Sequence, residues 1–340
     1  MSGWLLLTAC VQEPSASEDT DTSTSDTGSD STTGEPEGEW IVARQLGNDV
    51  GALMSVWGPS PTELYVVGGQ PEADGGRVLR GYEDDWELEP LPAGVGMLNW
   101  VYGVDGRVWS VGREGTIVCR DGASEAWVHE ASPTDRTLWG VWGASADELW
   151  AVGGDGVTDA PVLLRRDGAS EVWAELELPE LGVEAHALFK VWGAAADDVW
   201  IVGDAGAALH WDGQVWTPIP DLDGVDLISV WGSVSEGVIA VGGRANARID
   251  RRVEGAWLTD TSAAPGLNGV WIDPSGGATV VGGQGSIHTV APDGFTLTPE
   301  SSGTAMALHS VFGFEGGPRY SVGGSLLMAP PYVGVIVRTR

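Results

Sequence analysis

Positive charge is the scarcest property of this chain. Seventeen Lys and Arg stand against 49 Asp and Glu, giving a formal net charge of -32 over 340 residues. A field of that sign repels phosphate and argues against nucleic acid as a partner. Cysteine is nearly absent. Cys10 and Cys119 share no local context, so neither a disulfide framework nor a metal pair is expected. Cys119 lies in the stretch IVCRDG and reads as a small buried residue of a strand. The five His (His129, His186, His210, His288, His309) show no metal-ligand spacing. No Gly-x-Ser-x-Gly elbow and no phosphate loop falls in a strand–helix setting. Little remains on which a reaction could be built, and no enzyme is expected.

Glycine and tryptophan are abundant instead, with 51 Gly and 18 Trp against four Phe. Most of the Trp recur in one unit, clearest at Leu138–Gly156: LWGVWGASADELWAVGGDG. Six further units begin at Leu53, Leu98, Leu188, Leu227, Leu267 and Leu308. The aromatic after Val in each is Trp57, Tyr102, Trp142, Trp192, Trp231, Trp271 and Phe312, a period of about forty residues. Ten residues separate each aromatic from the Val of the following Val-Gly, nine in the second unit. That constancy predicts two strands joined by a turn of fixed length. A third apolar stretch and often Asp-Gly follow, as in TIVCRDGASEAW, and Asp-Gly between β-type runs signals a hairpin. Four short antiparallel strands, a to d, repeated around a ring make a β-propeller blade.

The ends of the chain predict how the ring closes. The last unit offers strand a (Leu308–Gly313), strand b (Arg319–Gly323) and strand c (Val333–Thr339), and no strand d. Near the start, Trp40–Gln45 has no partners in its own blade, and Trp40 stands where a strand-d Trp would stand. The expected fold is therefore all-β: a seven-bladed propeller over 39–340, with residues 40–45 closing the last blade and removing an exposed sheet edge.

Two segments precede it. Residues 1–10, MSGWLLLTAC, end in Leu-Thr-Ala-Cys, which resembles a bacterial lipobox and marks Cys10 for lipidation. The run is short and lacks a basic n-region, so the expectation is a signal truncated at Met1, with the true start upstream. Residues 11–38 are almost devoid of apolar side chains and read as a disordered acidic stem. Nine of the 49 acids and none of the 17 bases lie in residues 1–39. Such a tract holds a folded part away from a membrane.

The pattern Val-Trp-Gly…Asp-x-Trp-x-Val-Gly…Asp-Gly-x-x-Trp resembles the BNR/YVTN-type propeller repeats of secreted bacterial lipoproteins over residues 40–340. The Asp-Gly-x-x-Trp corner is similar to an Asp-box, with Asp and Gly adjacent at Asp121-Gly122, Asp167-Gly168 and Asp212-Gly213 and no leading Ser. The Trp-rich blades are more loosely similar to tectonin-type lectins. The resemblance implies a fold and an exported, lipid-anchored protein of the bacterial envelope; it implies no activity.

A sialidase-like propeller would need an arginine triad at the axis, whereas Arg80, Arg120 and Arg165 fall in strand c, at the blade periphery. Tyr65, Tyr102 and Tyr320 replace Trp at repeat positions and read as core. The strand-a aromatics recur in every blade and are expected to pack against the neighbouring blade. Variation in length collects in the b–c and d–a loops, which share one face. Loops on a rigid scaffold carry binding, so this face is the candidate site, with Glu72, Asp74, Asp155, Asp159, Glu180, Glu184, Asp221, Asp223 and Asp226. Asp221, Asp223 and Asp226 offer carboxylates to a calcium ion without matching the full calcium-loop pattern; no other cofactor is expected. The functional expectation is a monomeric, non-catalytic recognition or scaffold propeller binding a protein. The alternatives are a carbohydrate-binding propeller taking a polysaccharide, to which these aromatic-poor loops lend little, and a divergent glycoside hydrolase.

Overall fold

A computed structural model describes residues 38–340 apart from 123, 156–159, 169, 221, 223, 234–236, 275 and 327–329. The expected lipidation site Cys10 and the stem lie outside the described residues. The chain enters through β1 (Trp40–Leu46). Blade 1 is β2 (Ala52–Ser60), β3 (Glu63–Gly69), β4 (Gly76–Tyr82) and β5 (Asp85–Leu88). Blade 2 is β6 (Leu98–Val104), β7 (Arg107–Gly112), β8 (Ile117–Asp121) and β9 (Trp127–His129). Blade 3 is β10 (Leu138–Ser145), β11 (Glu148–Gly153), β12 (Val162–Asp167) and β13 (Val172–Glu175). Blade 4 is β14 (Leu188–Ala195), β15 (Asp198–Gly203), β16 (Ala208–Trp211) and β17 (Trp216–Pro218). Blade 5 is β18 (Leu227–Ser233), β19 (Gly237–Gly242), β20 (Ala247–Val253) and β21 (Ala256–Ser262). Blade 6 is β22 (Leu267–Ile272), β23 (Ala278–Gly282), β24 (Ile287–Val290) and β25 (Leu297–Glu300). Blade 7 adds β26 (Leu308–Gly313), β27 (Arg319–Ser325) and β28 (Val333–Thr339).

Each blade is one four-stranded antiparallel sheet, and the seventh has the order β1-β28-β27-β26. Trp40 pairs with Thr339 and Leu46 with Gly334, so the closing strand runs one residue beyond the expected Gln45. Behind this closure the core is continuous from the last blade to the first: Leu53, Val56 and Val66 pack with Tyr320, Val322 and Ile336. Closure turns an exposed edge into a full ladder.

Neighbouring blades meet through two recurrent contacts. In the first, the strand-a aromatic of one blade lies against the glycine that follows the strand-a aromatic in the next. A Cβ on Gly103 would sit 2.3 Å from Cη2 of Trp57, on Gly193 2.5 Å from Trp142, on Gly232 2.6 Å from Trp192 and on Gly313 2.8 Å from Trp271. No Cβ fits at those distances, so Val-Trp-Gly is a rule about two blades: the Trp serves its successor, and the Gly receives its predecessor. Tyr102 makes the same approach by donating its hydroxyl to the Gly143 carbonyl at 3.1 Å. The second contact latches the blades at the rim. Glu89 accepts the Trp127 indole N–H at 2.6 Å and lies 3.4 Å from Arg120. Glu130 does the same with Trp173 and Arg166, and Glu300 with Trp40 and Arg319. The strand-d Trp is thus both core and hydrogen-bond donor, the usual behaviour of a buried indole.

The strand-a aromatics also meet one another around the axis. Ring centroids lie 5.9 Å apart for Trp57–Tyr102, 6.3 Å for Tyr102–Trp142 and 6.5 Å for Trp57–Phe312. The space they enclose is about 10 Å³, too small for a ligand. The expectation that these rings pack against neighbouring blades holds, and in doing so they plug the channel. Cys119 is buried as expected, and burial pushes its thiol up to about 12.

Replacing Gly103 by Ala forces a methyl into the Trp57 ring and is expected to destabilise the fold by about 1–3 kcal/mol. Trp57→Phe removes the ring atoms that clash, so the double variant should lose less than the sum of the two single losses. Denaturant unfolding of all four proteins measures that coupling.

Candidate functional site

In every blade the strand-a ladder slips between the first and third residues of Leu-x-x-Val: Leu53/Ser55, Leu98/Trp100, Leu138/Gly140, Leu188/Lys190, Leu227/Ser229, Leu267/Gly269 and Leu308/Ser310. A bulge leaves one residue unpaired and re-aims its side chain. Here that residue is the second of the unit: Met54, Asn99, Trp139, Phe189, Ile228, Asn268 or His309. All seven line one cavity of about 510 Å³, together with Trp100, Lys190, Asp155, Asp204, Asp226 and Arg244. Strand a begins at the d–a loops, so the cavity is the mouth of the channel on the b–c/d–a face, above the aromatic plug.

Its wall is held from behind. Asn99 donates to the Leu138 carbonyl and Asn268 to the Leu308 carbonyl, each at 2.9 Å. His309 Nδ1 lies 2.9 Å from the Leu53 carbonyl, which only accepts, so Nδ1 carries the proton. Burial lowers the His309 pKa in spite of that bond, and the ring is neutral near pH 7. In blade 3 the Trp139 indole donates to the Gly154 carbonyl at 2.9 Å and meets Phe189 of blade 4 edge-on at 6.2 Å.

Lys190 is the only lysine in the chain. It lines both the mouth cavity and the plug beneath, with its Nζ 3.0 Å from the centroid of the Trp100 ring. The residue is 7% exposed, and no ion pair to it occurs among the described residues. Burial drives its pKa well below the usual 10.5. The indole face favours the ammonium by about 0.5–2 kcal/mol, less than the several kcal/mol that removing water from a buried ion costs.

The carboxylates of the nominated face separate into groups. Asp155 and Asp226 reach the cavity. Glu72, Asp74, Glu180 and Glu184 are exposed on the surrounding loops and do not line it; Asp74 accepts the Gly94 N–H. Asp159, Asp221 and Asp223 lie outside the described residues. Asp226, the remaining calcium candidate, spends one oxygen on the Ala205 N–H at 3.0 Å and the other on Arg244 at 2.6 Å. Asp204, which the sequence reading missed, accepts the N–H groups of His186 and Ala187 at 3.0 Å. These two carboxylates therefore hold loops in place. No cluster of three or more metal-binding side chains occurs among the described residues.

The strand-c arginines stay at the periphery, over ring faces: Arg80 and Arg120 on Tyr65, Arg165 on Trp150. Arg244 is the one guanidinium among the residues lining the mouth, so no arginine triad is assembled there.

These features define a seven-bladed β-propeller with a plugged axis and one open, non-repetitive mouth. No protein-family model matches the chain, and no curated protein matches it in sequence. Solved structures do. YCF48 from Cyanidioschyzon merolae superposes with a TM-score of 0.65 at 13% identity, covering 89% of this chain and 98% of that one. YCF48 bound to D1 peptide gives 0.63 at 12%, covering 90% and 97%. The WD40 β-propeller domain of Doa1 gives 0.63 at 11%, covering 88% and 96%. At these identities the likeness is one of fold.

Because the folded pKa of Lys190 lies below its unfolded value, the unfolded chain binds the extra proton between the two. Stability at this site therefore rises with pH across that window, up to about 10.5. Lys190→Met is expected to melt higher than the native protein at pH 7, with the advantage shrinking towards pH 10. Thermal melts of both proteins over that range measure it.

Proposed function

We propose that this chain is a non-catalytic recognition propeller that binds a protein partner through its b–c/d–a face. The observation that carries the reading is the mouth itself. Seven blades agree at the first, fourth and fifth residues of strand a, within the apolar and aromatic classes those positions need, and differ at the bulged second residue, where all seven side chains converge. A purely structural ring has no need of six kinds of side chain at seven equivalent positions around one cavity. Trp100, Trp139 and Phe189 give that cavity an aromatic wall suited to an inserted apolar side chain, the arrangement from which interface hot spots are built. Outside it, Glu72, Asp74, Glu180 and Glu184 present an acidic rim, which favours a partner with a basic surface. YCF48, which shares the fold, has been seen with a peptide bound.

The rest of the reading rests on sequence. Cys10 is the lipidated residue, residues 11–38 are the stem, and the propeller stands as a monomer on the bacterial envelope, touching the membrane only through its lipid. No cofactor is required, and a calcium ion at Asp221, Asp223 and Asp226 is a weaker element of the proposal. The same aromatic wall supports a second reading, stacking on a sugar ring of a polysaccharide.

Immobilised full-length chain, offered an envelope-protein extract and a glycan array with and without calcium, separates these readings. The expected result is capture of a defined protein, weakened about tenfold or more by Trp139→Ala, as for loss of an aromatic anchor. Asp147→Ala, in the a–b turn on the opposite face, should leave capture unchanged. Glycan capture competed by free sugar would replace the protein reading with the carbohydrate one, and equal loss in both variants would move the site off the mouth.

A further inference from the structure

Lys190 has chemistry that partner binding does not require. At the same third position of strand a the other blades carry Ser55, Trp100, Gly140, Ser229, Gly269 and Ser310, so the fold itself needs no amine there. The Lys190 amine lies over the Trp100 face, and its open side is the 510 Å³ cavity. No carboxylate pairs with it among the described residues. The charged or titratable groups sharing the cavity are Asp155, Asp204, Asp226, Arg244 and His309. Asp204 and Asp226 are committed to backbone N–H groups and Arg244, and His309 to a carbonyl.

We propose that Lys190 is a nucleophilic amine that captures a neutral aldehyde or ketone as an imine inside the channel mouth. A lysine stripped of water in an apolar pocket holds more free amine at neutral pH, and free amine is the form that attacks carbonyl carbon. The nitrogen lone pair forms the C–N bond while the carbonyl π pair moves to oxygen. One proton passes from nitrogen to that oxygen. A second proton, from solvent in the open cavity, lets the oxygen leave as water with its bonding pair as C=N forms. Loss of the remaining N–H proton then gives the neutral imine and returns that proton to solvent. One water is released overall, no oxidant or reductant is consumed, and hydrolysis reverses the step. Trp139 and Phe189 suit a carbonyl compound with an aromatic or aliphatic body. Asp155, Asp204 and Asp226 disfavour one bearing a carboxylate. The site would hold a small carbonyl compound, or a carbonyl carried by a larger molecule, covalently and reversibly.

A single lysine makes the test clean, because only Lys190 and the terminal amine can react. The full chain is incubated with benzaldehyde and sodium cyanoborohydride at pH 7, and peptide mass mapping locates the benzyl adduct. The expected result is labelling of Lys190 on the order of tenfold or more faster than a surface lysine, since each unit of pKa depression raises the free-amine fraction tenfold. That surface lysine is supplied by Gln214→Lys in a Lys190→Met background, at an exposed position. The amine that Gln214→Lys supplies is exposed to reagent whether or not that variant folds, so the comparison does not depend on the variant's folding. Glyoxylate, which carries a carboxylate, should label Lys190 more slowly than benzaldehyde. Labelling confined to the terminal amine, or no faster at Lys190 than at the surface lysine, overturns the proposal. A preference for glyoxylate overturns the assigned ligand class.

Discussion

One aromatic ring laid on one glycine fixes the spacing of adjacent blades at Trp57–Gly103, Trp142–Gly193, Trp192–Gly232 and Trp271–Gly313. At these four junctions one blade brings a large ring and the next leaves a bare backbone. The contact is short enough that a methyl at the glycine would collide with the ring. Because the rings also crowd the axis, the same interaction that joins the blades closes the channel. Closure of the ring by β1 on β28 then joins blade 7 to blade 1, whose cores pack directly on each other.

This constraint decides where function can reside. The plug leaves no room for a ligand on the axis, and the latch glutamates Glu89, Glu130 and Glu300 are spent on indoles and guanidinium groups at the rim. What remains unspecified is the bulged residue at the top of strand a. It is unpaired in the ladder, so changing it disturbs no hydrogen-bond register, and it points at its six counterparts. Repetition elsewhere is what makes variety there informative. The floor of the mouth, Lys190 on Trp100, lies directly on the plug, and Lys190 is buried there.

Much of the fold was readable from the sequence because it is written as spacing. The constant aromatic-to-Val interval gave the a–b hairpin, and the missing strand d at one end with Trp40 at the other gave the closure. Loop length pointed to the b–c/d–a face, where most of the extra residues lie, and the mouth cavity opens on that face. The site's main residues were not. In a regular strand Leu188, Lys190 and Trp192 share one face and Phe189 the other; the bulge breaks that alternation, and no residue in Leu-x-x-Val announces it. Reading acids in loops found Asp155 and Asp226 and missed Trp139, Phe189 and Lys190. A signal existed: the second and third positions of the unit differ among otherwise matching blades. The BNR/YVTN-type resemblance carried the propeller and nothing finer, and no family match adds to it.

The central claim is that the bulged residues ring a cavity with a buried amine in its floor. Because the chain has one lysine, selective ¹⁵N-lysine labelling yields one side-chain amine signal, and its titration by NMR tests that claim directly. The account predicts a midpoint well below the ordinary value of 10.5, together with slow exchange of the amine protons with water. A signal that titrates at the ordinary value and exchanges freely would place Lys190 in solvent and contradict it.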